Sequence, residues 1–467
     1  MTTQFEELVG QGVCKGEVVD AQSFSVSAIG MTGIPLGAMM LFNTSDIGVV
    51  RSIDREFIQI DILTSGDIPI GAQVVMMNAE LEIRVSDRLL GRIVDPLMRP
   101  LDSKGPILSL DKVPVISPAP TFSQREKLST QLETGVTIVD TLFPVVKGQR
   151  IAIMGDSKSG KSNFAVQTAI NQSLAGSIVV LVMIAKRQSD IEQLVERLDR
   201  LGALDNIIIV SSDSFVSLPL GFMAPYSGCA VGEYFWHMNK DVVVIYDDLT
   251  AHAKLYREMS LLKGINPGRE SFPGDMFYTH SSLLERAGVL NENSKALTAL
   301  PIVTTSNNDI TSFLSTSLIS ITDGQIVFDI EEQQKGSKPP INTGMSVSRV
   351  GGRAQERLHK ELAQDIFKAL AQYRIASEFA HFGQDLPEQY KSDIRIGERL
   401  RSIFNQEPEE FHTLAEQQIL LSCAFIDSEL DFNIEEIKLI MNDLIASTYE
   451  GNDYRDFAEK LVKESMV

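Results

Sequence analysis

One short stretch of the sequence has the residue types and spacing of a phosphate-binding loop. The segment GDSKSGKS at residues 155–162 matches the pattern G-x-x-x-x-G-K-[ST] at every position. Glycines let the backbone point N–H groups at a phosphate, and the lysine and serine side chains can meet phosphate oxygens and Mg²⁺. We therefore predict a site for ATP or ADP with Mg²⁺ rather than a ligand-free turn. Its predicted residues are Gly155, Asp156, Ser157, Lys158, Ser159, Gly160, Lys161 and Ser162.

A second candidate group follows an apolar strand farther along the chain. The segment VVVIYDDL places Asp247 at the strand end, where a carboxylate can hold a water on Mg²⁺ together with the Ser162 hydroxyl. Asp248 has an equally good interpretation as the N-cap of the next helix. Acidic residues often follow apolar strands, so the carboxylates alone are weak evidence for a metal site. They become stronger evidence because the chain also contains the phosphate-binding loop.

A hydrolytic site also needs a group that orients and deprotonates the attacking water. The end of the strand SIVVLVMIA is the expected place for it, but Lys186 stands there, and an ammonium group cannot accept a proton. The alternative is a lysine that lies in a solvated loop; both interpretations leave the base missing. Glu192, Glu196 and Glu233 are the candidates for a displaced base.

Composition limits the classes of protein to which this chain can belong. Its 467 residues exceed one small domain, and 43% hydrophobic with 22% charged residues is the balance of a globular protein with a full core. The net charge of −20 disfavours nucleic acid and anionic lipid as partners. The longest apolar run, IVVLVMIA, is too short to span a membrane, so any membrane contact is expected to come through partner subunits.

Three patterns of elements succeed one another and must position these groups. Residues 1–84 have short alternating strands, such as EFIQIDIL, and turn signals, which predict an antiparallel β-barrel. Residues 85–355 alternate apolar strands with helices, which predicts an α/β domain with a parallel sheet. Residues 356–467 have helical periodicity, as in IEEIKLIMNDLIAS, which predicts a C-terminal α-helical bundle.

Taken together, these segments resemble the alpha subunit of F-type ATP synthases over nearly the whole chain. The segments that carry the resemblance are LETGVTIVDTLFPVVKGQRIAIMGDSKSGKSNFAVQTAINQ, APYSGCAVGEYF, VVIYDDLTAHAKLYREMSLL, PGRESFPGDMFYTHSSLLERAG and PPINTGMSVSRVGGRAQ. The last resembles the signature pattern of the family. Export and other rotary ATPases share the phosphate loop but not this combination.

The resemblance implies a RecA-like nucleotide-binding domain in a ring of three alpha and three beta subunits around a gamma-type central stalk. Catalysis then occurs in beta, while alpha holds nucleotide without turning it over. Arg349 matches the arginine finger that stabilises the phosphoryl group in a neighbouring subunit, and Ser346 is expected to support its geometry. Gln406 matches a glutamine that contacts adenine.

Two departures from the family pattern qualify this expectation. Lys186 stands where alpha subunits have Gln and catalytic subunits have Glu, which is a departure toward no catalysis. Only residues 1–11 precede the first predicted strand, so stator attachment in the ordinary manner is not expected.

The resemblance also sets the cellular location, which is peripheral, on the cytoplasmic face of the cell membrane. Two alternative functions stay open. One is a homohexameric P-loop ATPase of the export or helicase type, against which Lys186 and the acidic surface count. The other is a ring component of a divergent F-type-like machine that does not make ATP.

Overall fold

The structure is a computed structural model, and it consists of two compact units. It describes residues 4–64, 66–212, 217–380, 387–426, 432–438, 441 and 454–465. Unit 1 comprises residues 1–126, 173–304 and 311–321, and unit 2 comprises residues 127–172, 305–310 and 322–467.

The described residues form short strands in the first part of the chain and long helices in the last. The strands are β1 Lys15–Ala21, β2 Ser25–Ile29, β3 Met39–Phe42, β4 Ile47–Ile53, β5 Ile58–Ile62, β6 Gln73–Asn78, β7 Glu82–Val85, β8 Ile93–Val94, β9 Asp111–Pro114, β10 Gln131–Leu132, β11 Val145–Val146, β12 Ala152–Asp156, β13 Ile178–Ile184, β14 Ile207–Ser212, β15 Val242–Asp247, β16 Gly288–Val289, β17 Ala296–Thr305, β18 Gly324–Phe328 and β19 Val347–Ser348. The helices are α1 Gln4–Gly10, α2 Thr137–Leu142, α3 Lys161–Leu174, α4 Gln188–Arg200, α5 Leu218–His237, α6 Leu249–Leu262, α7 Met276–Leu284, α8 Phe313–Ile321, α9 Ile330–Gln334, α10 Arg357–Ala380, α11 Glu388–Phe404, α12 Leu414–Cys423 and α13 Tyr454–Ser465.

The first part of unit 1 is a closed antiparallel barrel with strand order β1-β2-β5-β4-β3-β6, in which β6 pairs back onto β1. Ile58, Ile60 and Ile62 of β5 all point into its apolar core, as the alternation in EFIQIDIL predicts. Asp61 lies on the other face of β5 and is nevertheless only 2% exposed. It is buried because Lys263, just after α6, donates to both of its carboxylate oxygens at 2.6 and 2.8 Å.

The rest of unit 1 contains a parallel sheet with strand order β17-β15-β13-β14-β8. All seven residues of β13 and all six of β15 are buried, which explains why their sequences are continuous apolar runs rather than alternating ones. Helix α5 packs along β13, β14 and β15. Where Gly228 of α5 faces β13, an added Cβ would clash with Val182, so the helix lies close to the sheet.

Unit 2 contains the strand β12, which pairs in parallel with β18, while β19 pairs antiparallel with β18. Its C-terminal part is helical and is organised around the long helix α10, whose buried residues include Leu362, Ile366 and Ala369. Helix α11 packs closely on α10, because Gly397 leaves no space for a Cβ against the Tyr373 ring.

These observations confirm the predicted fold class of barrel, parallel α/β region and helical end. The boundaries at residues 84/85 and 355/356 remain predictions. Of the predicted helix IEEIKLIMNDLIAS, residues 434–438 are helical, while 439–440 and 442–447 lie outside the described residues. Across the part of the chain that the structure describes, no helix is both long and apolar enough to traverse a lipid bilayer.

Candidate functional site

The predicted phosphate loop connects β12 to α3 and has a backbone that ordinary residues do not readily adopt. Gly155 has φ of 150°, and a Cβ at this position would lie 2.5 Å from the Phe328 carbonyl oxygen. Gly160 has φ of 100°, and even Lys158 is in the left-handed region with φ of 65°. The glycines in the sequence pattern are thus required by the shape of the loop, as predicted.

Lys161 begins α3 and points back over the loop. Its ammonium group donates to the carbonyl oxygens of Gly155 and Asp156 at 2.7 and 2.6 Å, and the residue is only 5% exposed. A buried ammonium held by loop carbonyls is a preorganised positive charge within the phosphate loop, residues 155–162, which we call the cradle.

The remaining loop residues divide into two sets by exposure. Ser157, Lys158 and Ser162 are exposed, whereas Ser159 is fully buried and its hydroxyl has no hydrogen-bond partner among the described residues. A buried hydroxyl without a partner is rare in folded proteins and indicates that a ligand or water completes it. The loop therefore fits the phosphates of a nucleotide.

A polar network behind the loop was not foreseen from the sequence. The Asp156 carboxylate accepts from the Thr305 hydroxyl at 2.6 Å and from the Asn308 N–H at 3.0 Å. The Asn308 amide donates to Asp329 at 2.8 Å, and the other oxygen of Asp329 accepts from the Asn342 amide at 2.8 Å. This network fixes Asp156 from residues about 150 positions away in the chain.

The network ends at the segment that carries Ser346 and Arg349. The Ser346 hydroxyl donates to the Asn342 carbonyl at 2.8 Å and accepts from the Val327 N–H at 2.9 Å, and the residue is buried. Such contacts belong to a residue that shapes the segment, and the supporting role expected of Ser346 remains a prediction.

Arg349 follows β19 and presents an exposed side chain on a fixed backbone. Its N–H donates to the Asp323 carbonyl at 3.0 Å, and its guanidinium donates to the Thr322 carbonyl at 3.2 Å. One residue earlier, the Ser348 hydroxyl donates to the Pro144 carbonyl at 2.8 Å. The backbone is thus held from both sides, and the cationic head lies at the surface of unit 2.

Gln406 is buried, and its side-chain amide forms hydrogen bonds with backbone groups. Its oxygen accepts from the Thr137 N–H at 2.9 Å, and its nitrogen donates to the carbonyls of Gly135 and Glu410, each at 2.6 Å. These bonds hold the start of α2 against the C-terminal helical region. The adenine contact expected of Gln406 remains a prediction.

In unit 1, Lys186 and Asp247 form an ion pair with each other. The Lys186 Nζ donates to Asp247 Oδ1 at 2.6 Å, and the two side chains are 24% and 11% exposed. The adjacent Asp248 is the N-cap of α6, accepting from the Ala251 N–H, which confirms that alternative interpretation. Both Lys186 and Asp247 had been singled out from the sequence, but not as partners.

The three carboxylates considered as displaced bases have different surroundings. Glu192 and Glu196 lie on the exposed face of α4. Glu233 on α5 accepts from the Nε of Arg286 at 2.7 Å, and the Arg286 side chain is 1% exposed. The Glu233 carboxylate is thus engaged by a buried guanidinium.

The residues predicted to hold Mg²⁺ are Ser162, directly, and Asp247, through a water. Ser162 is exposed in the first turn of α3, so its hydroxyl remains a predicted ligand. Asp247 already carries an ammonium on one oxygen at hydrogen-bond distance. The contact of Asp247 with Mg²⁺ through a bound water remains a prediction.

Comparison with known proteins gives matches over most of the chain. Residues 135–348 match the nucleotide-binding domain of the ATP synthase alpha/beta family, and residues 355–466 match the C-terminal domain of the ATP synthase alpha/beta chain. The chain is 38% identical over 435 residues to ATP synthase subunit alpha of Clostridium botulinum strain Hall, covering 92% of this chain and 86% of the relative. It is likewise 38% identical over 439 residues to ATP synthase subunit alpha of Clostridium botulinum strain Alaska E43, with the same coverage. The chain therefore belongs to the ATP synthase alpha/beta family and, within it, to the family of alpha subunits.

Proposed function

We propose that this chain is a nucleotide-binding alpha subunit of an F-type ATP synthase that does not itself catalyse. It binds ATP or ADP at residues 155–162, alternates with beta-type catalytic subunits in a three-plus-three ring, and surrounds a gamma-type central stalk. The complex couples ATP synthesis or hydrolysis to ion transport. The sequence relatives named ATP synthase subunit alpha support this assignment.

The structure of the phosphate loop supports the proposal that this chain binds a nucleotide. Its glycines Gly155 and Gly160 have positive φ, and the buried ammonium of Lys161 and the buried hydroxyl of Ser159 lie in the same short stretch of backbone. These groups complement the charge and oxygens of a nucleotide tail.

The observation that supports the absence of catalysis in this chain is the ion pair of Lys186 with Asp247. Hydrolysis by a P-loop protein needs a group that orients and polarises water. Here the position expected for that group has an ammonium bound at 2.6 Å to a carboxylate. The charged groups of this pair are engaged with each other, and no carboxylate or amide side chain stands at the Lys186 position.

The surroundings of Arg349 support its action on a neighbouring subunit. Its backbone is fixed on the β18–β19 pair while its side chain is exposed. Because the backbone of this segment is already fixed, only the side chain of Arg349 has to be ordered when its guanidinium enters a partner's site. We propose that Arg349 stabilises the charge of the transferring phosphoryl group in the adjacent catalytic subunit.

The cellular setting follows from the same assignment. The chain is proposed to lie on the cytoplasmic face of the cell membrane, peripherally, with membrane contact made by partner subunits and no role for nucleic acid. The net charge of −20 agrees with the expectation that the chain itself binds neither anionic lipid nor nucleic acid.

The substitution Arg349→Ala in the ring assembled with its catalytic partner tests the proposal. The expected result is loss of ATP hydrolysis by about 10³-fold with intact assembly on gel filtration, since an arginine finger contributes that much to rate. Arg353→Ala is the matched control, because Arg353 is exposed only four residues away. Full activity of the Arg349 variant, or an equal loss in the Arg353 variant, would overturn the assigned role.

A further inference from the structure

We propose that Asp329 is a positioning residue that joins the cradle to the segment 342–349, so that a nucleotide in the cradle orders the backbone that carries Arg349. The inference rests on the proposed nucleotide site and goes beyond it by naming the part of the chain that responds to the ligand. All of the residues concerned belong to unit 2.

The cradle packs directly against the chain segment that contains Asp329. Strand β18 ends immediately before Asp329 and is the parallel neighbour of β12, with Gly155 in register with Phe328. At Gly160, a Cβ would lie 3.6 Å from Pro340 and 3.7 Å from the Phe328 ring. Both glycines of the cradle therefore contact residues on one side or the other of Asp329 in the sequence.

The Asp329 carboxylate uses its two oxygens to join two parts of this unit. Its Oδ1 accepts from the Asn308 amide at 2.8 Å, and the backbone N–H of Asn308 donates to Asp156 of the cradle at 3.0 Å. Its Oδ2 accepts from the Asn342 amide at 2.8 Å. Asp329 is only 8% exposed, and hydrogen bonds to a charged group are stronger than those between neutral groups.

Asn308, on the cradle side of this connection, is held in one conformation. It has φ of 56°, in the left-handed region that Asn tolerates better than most residues do. Its side-chain oxygen is buried and has no hydrogen-bond partner among the residues that the structure describes. The amide is therefore fixed through its nitrogen, by the bond to Asp329.

Asn342, on the other side, organises the turn that follows it. Its side-chain oxygen accepts from the N–H groups of Gly344 and Met345 at 3.0 and 3.2 Å. Its carbonyl accepts from the Ser346 N–H at 3.1 Å. Because Asp329 holds the amide of Asn342, these three N–H groups report whether that side chain is in place.

A bound nucleotide would act on the first member of this connection. Phosphates that contact the backbone of the cradle and Lys161 restrict the motion of the loop, including that of Asp156. Because direct hydrogen bonds link Asp156 to Asp329 through Asn308, the restriction extends to the far side of the Asp329 carboxylate. The expected response is a loss of motion rather than a new fold.

The test is hydrogen–deuterium exchange of the purified full chain, followed by mass spectrometry, with and without ADP and MgCl₂. We expect ADP to slow exchange at residues 155–162 and, by about threefold or more, at the amides of residues 344–346. Asp329→Asn keeps the oxygen that faces Asn308 but turns an NH₂ group toward the amide of Asn342. Exchange at residues 344–346 should then be about tenfold faster and should no longer respond to ADP.

A reciprocal exchange of side chains makes the result specific. Asn342→Asp alone sets two carboxylates against each other and should also accelerate exchange at residues 344–346. Combined with Asp329→Asn, it restores a donor opposite an acceptor, so native exchange and the response to ADP should return. This return also covers the case in which a single variant does not fold. Glu331→Gln removes the same charge from an exposed position nearby and should behave as the native chain does.

The outcomes separate this inference from the proposed function. Slower exchange at residues 155–162 with no change at residues 344–346 would overturn the inference and leave the nucleotide site standing. Native exchange in Asp329→Asn, or a double variant that does not recover, would also overturn it. If ADP slows exchange in neither region, the proposed nucleotide site itself is wrong.

Discussion

Residues 155–162 and the pair Lys186 and Asp247 both follow the carboxyl ends of parallel strands, but their polar groups are disposed differently. In the first region, a buried cation and a buried hydroxyl lie on a loop in which Gly155 and Gly160 have positive φ. In the second, a cation and an anion bind each other. Two strand ends of this chain therefore present polar groups of different kinds, a buried hydroxyl with no partner among the described residues in one and a closed ion pair in the other.

The largest difference between the two regions is expected in ADP binding when Lys161 and Lys186 are each replaced by alanine. Lys161→Ala removes the buried ammonium of the cradle and should weaken ADP binding by about 100-fold. Lys186→Ala in MgCl₂ should change it by less than about tenfold, because Lys186 meets a carboxylate rather than phosphate. Equilibrium binding of a fluorescent ADP analogue measures both. Equal losses in the two variants would show that the two regions do not differ in the way described.

A smaller effect is expected from adding a methyl group to the cradle. Gly155→Ala forces a Cβ to within 2.5 Å of the Phe328 carbonyl oxygen, so we expect a loss of unfolding free energy of about 3 kcal/mol together with weakened ADP binding. Gly176→Ala is the matched control, because Gly176 also has positive φ, 86°, but open space around it. Its cost should be about 1 kcal/mol, with ADP affinity unchanged. Thermal unfolding and ADP titration of both variants measure this, and equal behaviour would remove steric crowding as the reason for Gly155.

The smallest expected effect is a loss of folding stability at low pH. It arises from two buried histidines of unit 1 and therefore does not involve the phosphate loop. Burial lowers the pKa of His252 to about 4 and lowers the pKa of His280 as well, and the two rings lie 3.1 Å apart between Nδ1 and Nε2. The unfolded chain takes up these protons below its ordinary histidine pKa near 6.5, whereas the folded chain does not, so stability falls as pH drops from about 6.5 toward 4. At pH 5 the loss from His252 is about 2 kcal/mol.

The measurement is the change in melting temperature between pH 7 and pH 5, in the native chain and in His252→Phe. The variant should lose less stability on acidification, because it has one fewer buried group to protonate. An equal fall in both proteins would assign the acid sensitivity to other residues.

Much of the fold could be predicted because its signals are local. Continuous apolar runs identified β13 and β15, alternation identified the inward isoleucines of β5, and the spacing of Gly155, Gly160 and Lys161 identified the loop. Each of these signals lies within one stretch of sequence, where the period of the side chains reports burial directly.

The polar contacts between distant segments could not be predicted in the same way. Asp156 is held by Thr305 and Asn308, and Asp61 is buried by Lys263, in each case across more than 140 residues of chain. No local periodicity encodes such partners, because only the folded topology decides which strand ends and loops meet. Even Lys186 and Asp247, both noted individually, form a pair only because β13 and β15 are neighbours in register.

Whether this chain binds ATP without hydrolysing it can be measured by a single-turnover assay with the isolated chain in excess over ATP labelled at the γ-phosphate. We expect the chain to retain the label as intact ATP, with phosphate release no faster than in buffer. Release of phosphate that is abolished by Lys161→Ala would contradict it, because the same cradle would then both bind the nucleotide and split it.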